Sequence, residues 1–249
     1  MAYGEHRIAR IEEVTESVRI FHMDGEAQPF KPGNFFLIRL RMEDGKKMFR
    51  PFSAASHPSE GSLRFCIKKN TNSSLAAEGA PASSAPMKKS GMFTRRMWSL
   101  RAGDIVEIDG PYGIFTLDGN DEARVFIAGG TGIAPLRSMV LQTIIEEKPS
   151  CLFHSASTQS GLAYAEEMAL LESKNPSFRC IHAVTRQVMP PEWEGIRGRI
   201  TVDAIAQRLG TLAGKTFYLC GPKEMVEALV HGLAGAGVPK ERVKKEEWG

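Results

Sequence analysis

The sequence contains no long apolar run. Hydrophobic residues make up 42% of its 249 residues, yet no stretch approaches the roughly 18 residues that a membrane-spanning helix needs. The first residues, MAYGEHRIARIEE, are charged and lack the apolar core of a secretory signal peptide. We therefore expect a cytoplasmic protein without a membrane span.

Cysteine and histidine are scarce and scattered. The four cysteines show no CxxC spacing, which argues against an internal iron–sulfur cluster or zinc site, and a reducing cytoplasm disfavours disulfides. The six histidines form no HExxH motif, so we expect no metal site. A GxSxG motif, paired carboxylates and a basic helix are also missing, so neither a hydrolase nor a nucleic-acid-binding protein is favoured.

A large excess of one charge is missing as well. The net charge is +3, from 32 Lys and Arg against 29 Asp and Glu. This excess gives no argument for nucleic acid, but it permits an acidic protein partner. Six basic residues form either a solvated surface or a docking patch for such a partner: Lys68, Lys69, Lys88, Lys89, Arg95 and Arg96.

Hydrophobic periodicity divides the chain into two parts. Up to residue 117, short alternating runs such as NFFLIRL and SLRFCIKK, separated by turn signals, predict a small antiparallel β-barrel. From about residue 120, apolar strands alternate with helical patterns, which predicts a parallel sheet covered by helices. We place the domains at residues 1–119 and 120–249. Residues 70–90, rich in Ser, Ala and Pro, predict a long exposed loop.

Two glycine turns follow predicted strands of the second domain. In RVFIAGGTGIAPLRSM, three glycines stand where a strand becomes a helix, and Pro135 suits the first turn of that helix. Such a turn lets backbone N–H groups approach a phosphate, although tight packing explains it equally well. In TFYLCGPKEMV, Cys220 ends a strand, where ligands of open α/β sheets collect; the alternative is a buried cysteine beside an ordinary loop.

Five motifs, in order, resemble those of the ferredoxin–NADP reductase-like flavoprotein family. RPFS (50–53) is similar to the family's flavin motif R-x-Y/F-S, and SGMFT (90–94) to its phosphate motif G-x-x-S/T. GPYGIF (110–115) follows LRAGDIVEI as it does in the family. GGTGIAP (129–135) and CGPKEM (220–225) resemble its nicotinamide-nucleotide turns. The resemblance implies an N-terminal flavin-binding antiparallel β-barrel followed by a C-terminal nucleotide-binding α/β domain.

The resemblance gives the stretch MFRPFSAASHP a role. Arg50 would neutralise a flavin phosphate with its planar guanidinium. Phe52, which stands where much of the family has tyrosine, would offer the isoalloxazine ring a flat contact. Ser53 would hydrogen-bond the flavin N5. The implied flavin-binding residues are Arg50, Pro51, Phe52, Ser53, Ile67, Lys68, Gly91, Met92, Phe93, Thr94 and Trp248.

The resemblance also implies a second cofactor, NADPH or NADH. Thr185 and Arg186 match positions that hold the 2′-phosphate in NADPH-preferring members, whereas Ser157 stands where many relatives have arginine, so NADPH is only slightly favoured. FAD is favoured over FMN because the family uses it more often. Tyr164 either stacks on adenine or packs a helix. The implied nucleotide-binding residues are Gly130, Thr131, Gly132, Pro135, Thr185, Arg186, Cys220, Gly221, Pro222 and Met225.

The implied catalytic residues are Ser53, Cys220 and Glu246. Cys220 would lie beside the nicotinamide and Glu246 near the hydride path, with Trp248 shielding the flavin; the alternative for ERVKKEEWG is a frayed charged tail. The implied reaction passes a hydride from the nicotinamide to the flavin, and electrons then reach an iron–sulfur protein such as ferredoxin or an oxygenase component. The alternatives are an electron-transfer subunit of a larger redox complex, a reductase of free flavin or quinone, and a regulatory module without turnover.

Overall fold

The computed structural model describes residues 4–69 and 90–248. In its first part, strands whose apolar and polar residues alternate form one antiparallel sheet. The strands are β1 (Gly4–Thr15), β2 (Val18–Met23), β3 (Phe35–Arg41), β4 (Lys47–Ser53), β5 (Arg64–Lys68) and β6 (Ile105–Tyr112). Their order across the sheet is β4-β3-β6-β1-β2-β5. The sheet curls so that its two edge strands meet. At this contact the Ala55 N–H after β4 donates to the Arg64 carbonyl at the start of β5 (2.8 Å). This half-barrel confirms the predicted architecture of the first domain.

Alternation of apolar and polar residues buries one face of each strand. In β3, Phe36 and Ile38 point into the barrel and are almost fully buried, while their neighbours are only partly covered. Helix α1 (Ser90–Ser99) packs Phe93 and Met97, both fully buried, onto the same core. The loop predicted at residues 70–90 lies outside the described residues up to residue 89, and Ser90 begins α1.

Six strands form the second sheet, which is parallel as predicted. They are β7 (Ala123–Gly129), β8 (Ser150–Ala156), β9 (Phe178–Val184), β10 (Ile196–Arg197), β11 (Lys215–Pro222) and β12 (Val243–Trp248). The helices beside this sheet are α2 (Ile133–Ile145), α3 (Ala165–Lys174), α4 (Val202–Leu209) and α5 (Lys223–Gly235). Throughout residues 4–69 and 90–248, no helix is long and apolar enough to cross a membrane.

The strand order of the second sheet creates a topological switch point. The order is β10-β9-β8-β7-β11-β12, so the chain leaves β7 towards β8 on one side and later returns to β11 on the other. Ligands of open α/β sheets bind in the crevice outside the carboxyl ends of such a strand pair. Both glycine motifs found in the sequence lie at the carboxyl ends of these two strands.

The connection between the two sheets is anchored by a buried arginine. Arg124, 1% exposed, donates to the Thr143 hydroxyl (2.9 Å) and to the Asp118 carbonyl (3.2 Å). It also pairs with Asp121 (3.4 Å) and Glu146 (2.8 Å). The predicted division between residues 119 and 120 lies within this connection and stays a prediction.

A glycine at the contact between the domains supplies a stability test. Gly33 has a φ of +99°, and a Cβ there would lie 2.0 Å from the Phe115 carbonyl oxygen and 2.4 Å from Met139 Cε. Gly45 has a comparable φ of +78°, but apart from its chain neighbours no atom of the described residues lies within 4 Å of the position of a Cβ there. We expect Gly33→Ala to lower the free energy of unfolding by about 1–3 kcal/mol more than Gly45→Ala, because only the former overpacks the contact. Urea denaturation of both variants measures the difference, and equal losses would contradict the contact argument.

Candidate functional site

The two glycine turns pack against each other at the switch point. A Cβ on Gly132 would lie 2.2 Å from the Cys220 carbonyl oxygen, and one on Gly221 would lie 3.1 Å from the Gly129 backbone. Glycine at these positions therefore permits the close approach of the ends of β7 and β11. Tight packing, one of the two explanations left open by the sequence, accounts for these three glycines.

Gly130 differs because its surroundings are open. Its φ is +53°, and apart from its two chain neighbours no atom of the described residues lies within 4 Å of the position that a Cβ would occupy. Together with Thr131, Pro222 and Met225 it lines a cleft of about 1300 Å³. A backbone that faces open space at the start of a helix can donate its N–H groups to a phosphate. The geometry of Gly130 thus fits the other explanation, nucleotide binding.

The first domain supplies the other wall of this cleft. The tip of the β1–β2 hairpin, residues 14–18, lines it together with Lys68 and Lys69. The volume exceeds the roughly 300–1,000 Å³ of an ordinary small-molecule pocket, which suits an extended dinucleotide. The hairpin wall was not predicted, because the strand runs of β1 and β2 do not indicate which part of the second domain they approach.

The RPFS and SGMFT motifs lie side by side. Phe52, at the end of β4, packs on Phe93 of α1 with ring centroids 5.8 Å apart. Phe93 is fully buried, whereas Phe52 is partly exposed. Arg50 is partly exposed, and its guanidinium donates to the Phe49 carbonyl of its own strand (2.8 Å). The Thr94 hydroxyl donates to the Gly91 carbonyl in the first turn of α1 (3.3 Å).

Ser53 and Glu246 join the two domains. The Ser53 hydroxyl donates to Glu246 Oε2 over 3.0 Å, although the two residues are 193 positions apart in the sequence. Glu246 lies on β12, where it is the register partner of Cys220 on β11. The structure therefore brings the three predicted catalytic residues together at one place, and their roles stay predictions. The C-terminal segment forms a strand of the sheet rather than a frayed tail.

The electrostatics of this junction favour protonated groups. Burial raises the pKa of Glu246, and the hydrogen bond from Ser53 only partly opposes the shift. Burial first, and the Glu246 carboxylate second, raise the pKa of the Cys220 thiol, which is 2% exposed. Cys220 is therefore a neutral thiol rather than a nucleophilic thiolate at neutral pH.

Basic and hydroxyl side chains line another part of the cleft. Ser157, Thr185 and Arg186, which the sequence singled out, lie there together with Arg199. Both guanidinium groups are exposed and available to an anion. Arg199 was missed because it follows the two-residue strand β10, whose position depends on its pairing with β9. No local motif marks that residue.

A buried histidine supports the open glycine turn. His154 Nε2 lies 3.2 Å from the Gly130 carbonyl oxygen and donates to it, while its Nδ1 has no partner among the described residues. Burial first and then His182 lower the pKa of His154 to about 3, against the opposing effect of the Gly130 hydrogen bond. A neutral imidazole thus holds the Gly130 peptide. The sequence showed this residue only as one of six dispersed histidines.

Some residues considered in the sequence do not line the cleft, and Ile67, Pro135 and Tyr164 are among them. Ile67 is 1% exposed in the barrel core, and Pro135 is buried within α2, so neither side chain can reach a cofactor there. Tyr164 is partly buried with its hydroxyl enclosed, and the Arg137 guanidinium carbon lies 5.1 Å from its ring centroid, which fits helix packing better than stacking on adenine. The Trp248 side chain, Lys88 and Lys89 lie outside the described residues.

The residues at the junction fit two dinucleotides. Gly130 offers an unobstructed backbone, and the cleft beside it carries Lys68, Arg186 and Arg199 as anion partners. On the barrel side, the partly exposed Arg50 and the amino end of α1 suit a second phosphate-bearing group.

Two family models match the chain in the order of its two sheets. An oxidoreductase FAD-binding domain matches residues 5–117, and an oxidoreductase NAD-binding domain matches residues 126–231. The two domains confirm the predicted cofactors, FAD and a nicotinamide nucleotide, and the predicted enzyme class, an oxidoreductase.

Curated relatives and solved structures agree with this assignment. One subunit of the Na(+)-translocating NADH-quinone reductase of Yersinia enterocolitica is 27% identical over 222 residues, which are 86% of this chain and 52% of the relative. The chain thus spans about half the length of the curated relatives it matches. A ferredoxin NADP+ reductase from Neisseria gonorrhoeae with bound FAD and NADP has the same fold, with a TM-score of 0.78, 21% identity and 98% of both chains covered. An Amycolatopsis cytochrome P450 reductase gives a TM-score of 0.76 at 23% identity, with 98% of this chain and 70% of that chain covered.

Replacing His154 by glutamine tests the buried imidazole. The pKa of this group is 6.5 in the unfolded chain and about 3 in the folded protein. Between these values the unfolded state binds more protons, so the free energy of unfolding decreases as the pH is lowered. We expect wild type to lose more stability than His154→Gln between about pH 7.5 and about pH 5. Urea denaturation at both pH values measures this. The exposed His231→Gln variant serves as the control and should follow wild type, and an unchanged pH dependence in His154→Gln would contradict the assignment.

Proposed function

This chain belongs to the ferredoxin–NADP reductase-like flavoprotein family, and on that premise we propose that it passes a hydride from NADPH to bound FAD and electrons onward to an iron–sulfur protein. The hydrogen bond between Ser53 and Glu246 (3.0 Å) is the observation that carries the proposal. It joins the end of the flavin motif to the strand beside Cys220, so the two cofactor-binding domains meet at groups able to handle a proton.

Separate residues hold the two cofactors in this proposal. Arg50 and the amino end of α1 bind the FAD phosphates, while Gly130 and Thr131 bind those of the nicotinamide nucleotide. When bound, FAD would supply the hydride acceptor and the capacity to release electrons one at a time. Phe52 gives the flavin an apolar surface.

Ser53, Glu246 and Cys220 control protons and polarity at the junction. The Ser53 hydroxyl donates to Glu246 and keeps lone pairs with which to accept a hydrogen bond. Because burial raises the pKa of Glu246, its carboxyl can also hold a proton and return it to Ser53 Oγ. Cys220 contributes a neutral, compact side chain beside the nicotinamide, so no negative charge develops there before the hydride leaves.

Glu246→Gln tests this junction. We expect flavin reduction to slow by about 10- to 100-fold, since a hydrogen bond to a charged group contributes roughly 1.5–3 kcal/mol. The folded-state pKa of Glu246 is raised, so its favourable contribution is present at low pH and lost as the pH rises through that pKa. The glutamine variant avoids this loss and should be at least as stable as wild type near pH 8. Anaerobic rapid mixing and thermal denaturation measure the two effects; unchanged reduction together with lower stability would contradict the role.

The preference for NADPH rests on two arginines. The curated relatives are named for NADH, whereas the Neisseria structure holds NADP. In this chain Arg186 and Arg199 line one cleft with Thr185 and Ser157, and a pair of guanidinium groups suits a phosphate dianion. This pairing favours the 2′-phosphate of NADPH.

Arg186→Ala and Arg199→Ala test the preference. Each should raise the KM for NADPH by about 10- to 100-fold, the effect of removing one charge-assisted hydrogen bond, and leave the KM for NADH nearly unchanged. Arg197→Ala is a matched control, because the Arg197 guanidinium binds the Pro190 and Pro191 carbonyls and does not line the cleft. Equal changes in KM for both nucleotides would exclude a 2′-phosphate contact.

A second candidate function is that of an electron-transfer component in a larger redox complex. It is favoured by the curated relatives, each of which is named as one subunit of a reductase and is about twice as long as the matched region. Turnover of the FAD-loaded chain with a [2Fe–2S] ferredoxin supports the first candidate. Reduction of FAD without turnover on ferredoxin, free FMN or a quinone favours the second.

A further inference from the structure

Arg137 is a buried charge without a part in the chemistry described so far. It lies in the second turn of α2, a helix that begins directly after the Gly130–Gly132 turn, and it is 1% exposed. Burying a guanidinium is costly unless its donors are paired. All five N–H donors of Arg137 have acceptors in the described part of the chain.

The acceptors come from both domains. Nη1 donates to the Ala55 carbonyl (2.7 Å) and Glu60 Oε2 (2.8 Å), and Nη2 donates to Glu60 Oε1 (3.0 Å). Within its own domain, Arg137 Nε donates to Glu167 Oε2 (2.7 Å), and Nη2 donates to the other oxygen of that carboxylate. Arg64 also pairs with Glu60 (3.0 Å). Two guanidinium groups thus balance two carboxylates.

Glu60 and Arg137 remain charged although burial disfavours the charged form of each. Burial opposes ionisation of Glu60, but the hydrogen bonds and charge of Arg137 outweigh it and hold the pKa of Glu60 below its ordinary value. Burial likewise opposes the charged form of Arg137, yet its two carboxylate partners raise its pKa. Arg137 and Glu60 therefore form a permanent ionic contact at neutral pH.

The segment that Arg137 holds carries Ser53 at its start. Ala55 follows Ser53 by two residues, and its N–H donates to the Arg64 carbonyl (2.8 Å). Glu60 accepts from the His57 N–H (2.6 Å), which closes the turn that ends the segment. Residues 53–60 are thus tied internally, and Arg137 reaches them from the helix that starts at the nicotinamide turn.

We propose that Arg137 is a positioning residue for hydride transfer: it fixes the distance between the Ser53 end of the flavin motif and the Gly130–Gly132 turn. The inference rests on the proposed function, because the positioned groups are the two cofactor sites. A misplacement of about 1 Å between reacting groups costs roughly 100-fold in rate. Lysine at this position keeps the charge but offers three donors from a single point, so it cannot hold both carboxylates and the Ala55 carbonyl as the planar fork does.

The test compares Arg137→Lys with Arg124→Lys in the FAD-loaded protein. Both arginines are 1% exposed and paired with two carboxylates, but the partners of Arg124 all lie between residues 118 and 146. Anaerobic rapid mixing with saturating NADPH gives the limiting rate constant of flavin reduction, and its dependence on NADPH concentration gives the Kd. We expect Arg137→Lys to lower the rate constant by about 10- to 100-fold with little change in Kd, and Arg124→Lys to leave it within about threefold of wild type.

Glu60→Gln provides a second variant if Arg137→Lys does not fold. It removes the charge from the barrel side while keeping the acceptor oxygen, and it should slow flavin reduction in the same sense. A limiting rate constant that is unchanged in the folded Arg137 and Glu60 variants, with loss of stability alone, would overturn the inference. If wild type itself is not reduced by NADPH or NADH, the proposed function fails, and that result is visible before any variant is compared.

Discussion

The guanidinium of Arg137 is the contact on which the arrangement of the two domains depends. Its five donors are divided between Ala55 and Glu60 on the barrel side and Glu167 on the α/β side. Loss of one partner would leave a buried charge without compensation, at a cost of roughly 3–5 kcal/mol. Glu60, whose pKa is held low, contributes this stability above its unfolded pKa and loses it only as the pH falls through the lowered value. The ionic contact therefore persists through the neutral range.

A second constraint acts at the switch point of the parallel sheet. The ends of β7 and β11 approach so closely that Gly132 has no room for a Cβ beside the Cys220 carbonyl. Gly130 faces the cleft beside this contact, and on the other side of β11 the strand β12 places Glu246 within reach of Ser53. Packing and binding are thus not competing explanations of the glycine turn, because Gly132 is required by packing while Gly130 has the open surroundings that the proposed binding needs.

Local patterns predicted much of this molecule. Alternating runs located most barrel strands, and strand–helix alternation located β7, β8, β9 and β11 with three of their helices. The two-residue strand β10 and the charged strand β12 have weak patterns of their own and form because neighbouring strands pair with them. The order of the motifs identified Ser53, Cys220 and Glu246 as candidate residues, and the structure shows that they lie close together. The pairing of Ser53 with Glu246 links positions too distant in sequence for any local rule.

The unpredicted features depend on tertiary contacts in the same way. Arg137 sits among apolar residues of α2, which hints at a buried charge but does not name its partners. Arg199 enters the cleft because β10 pairs with β9, and residues 14–18 form its wall because a hairpin tip reaches the second domain. Conversely, Ile67 and Pro135 lie in segments that were predicted to bind a cofactor, but their own side chains are buried in the core. A motif identifies a segment, and packing decides which of its side chains reach the site.

Single-turnover reduction of the FAD-loaded protein by NADPH deuterated at the transferred C4 position tests the central claim most directly. If the junction of Ser53, Glu246 and Cys220 brings the two rings together, the flavin absorbance is lost without oxygen or any other protein, and deuterium slows that loss. An FAD-loaded protein that neither NADPH nor NADH reduces would contradict the account.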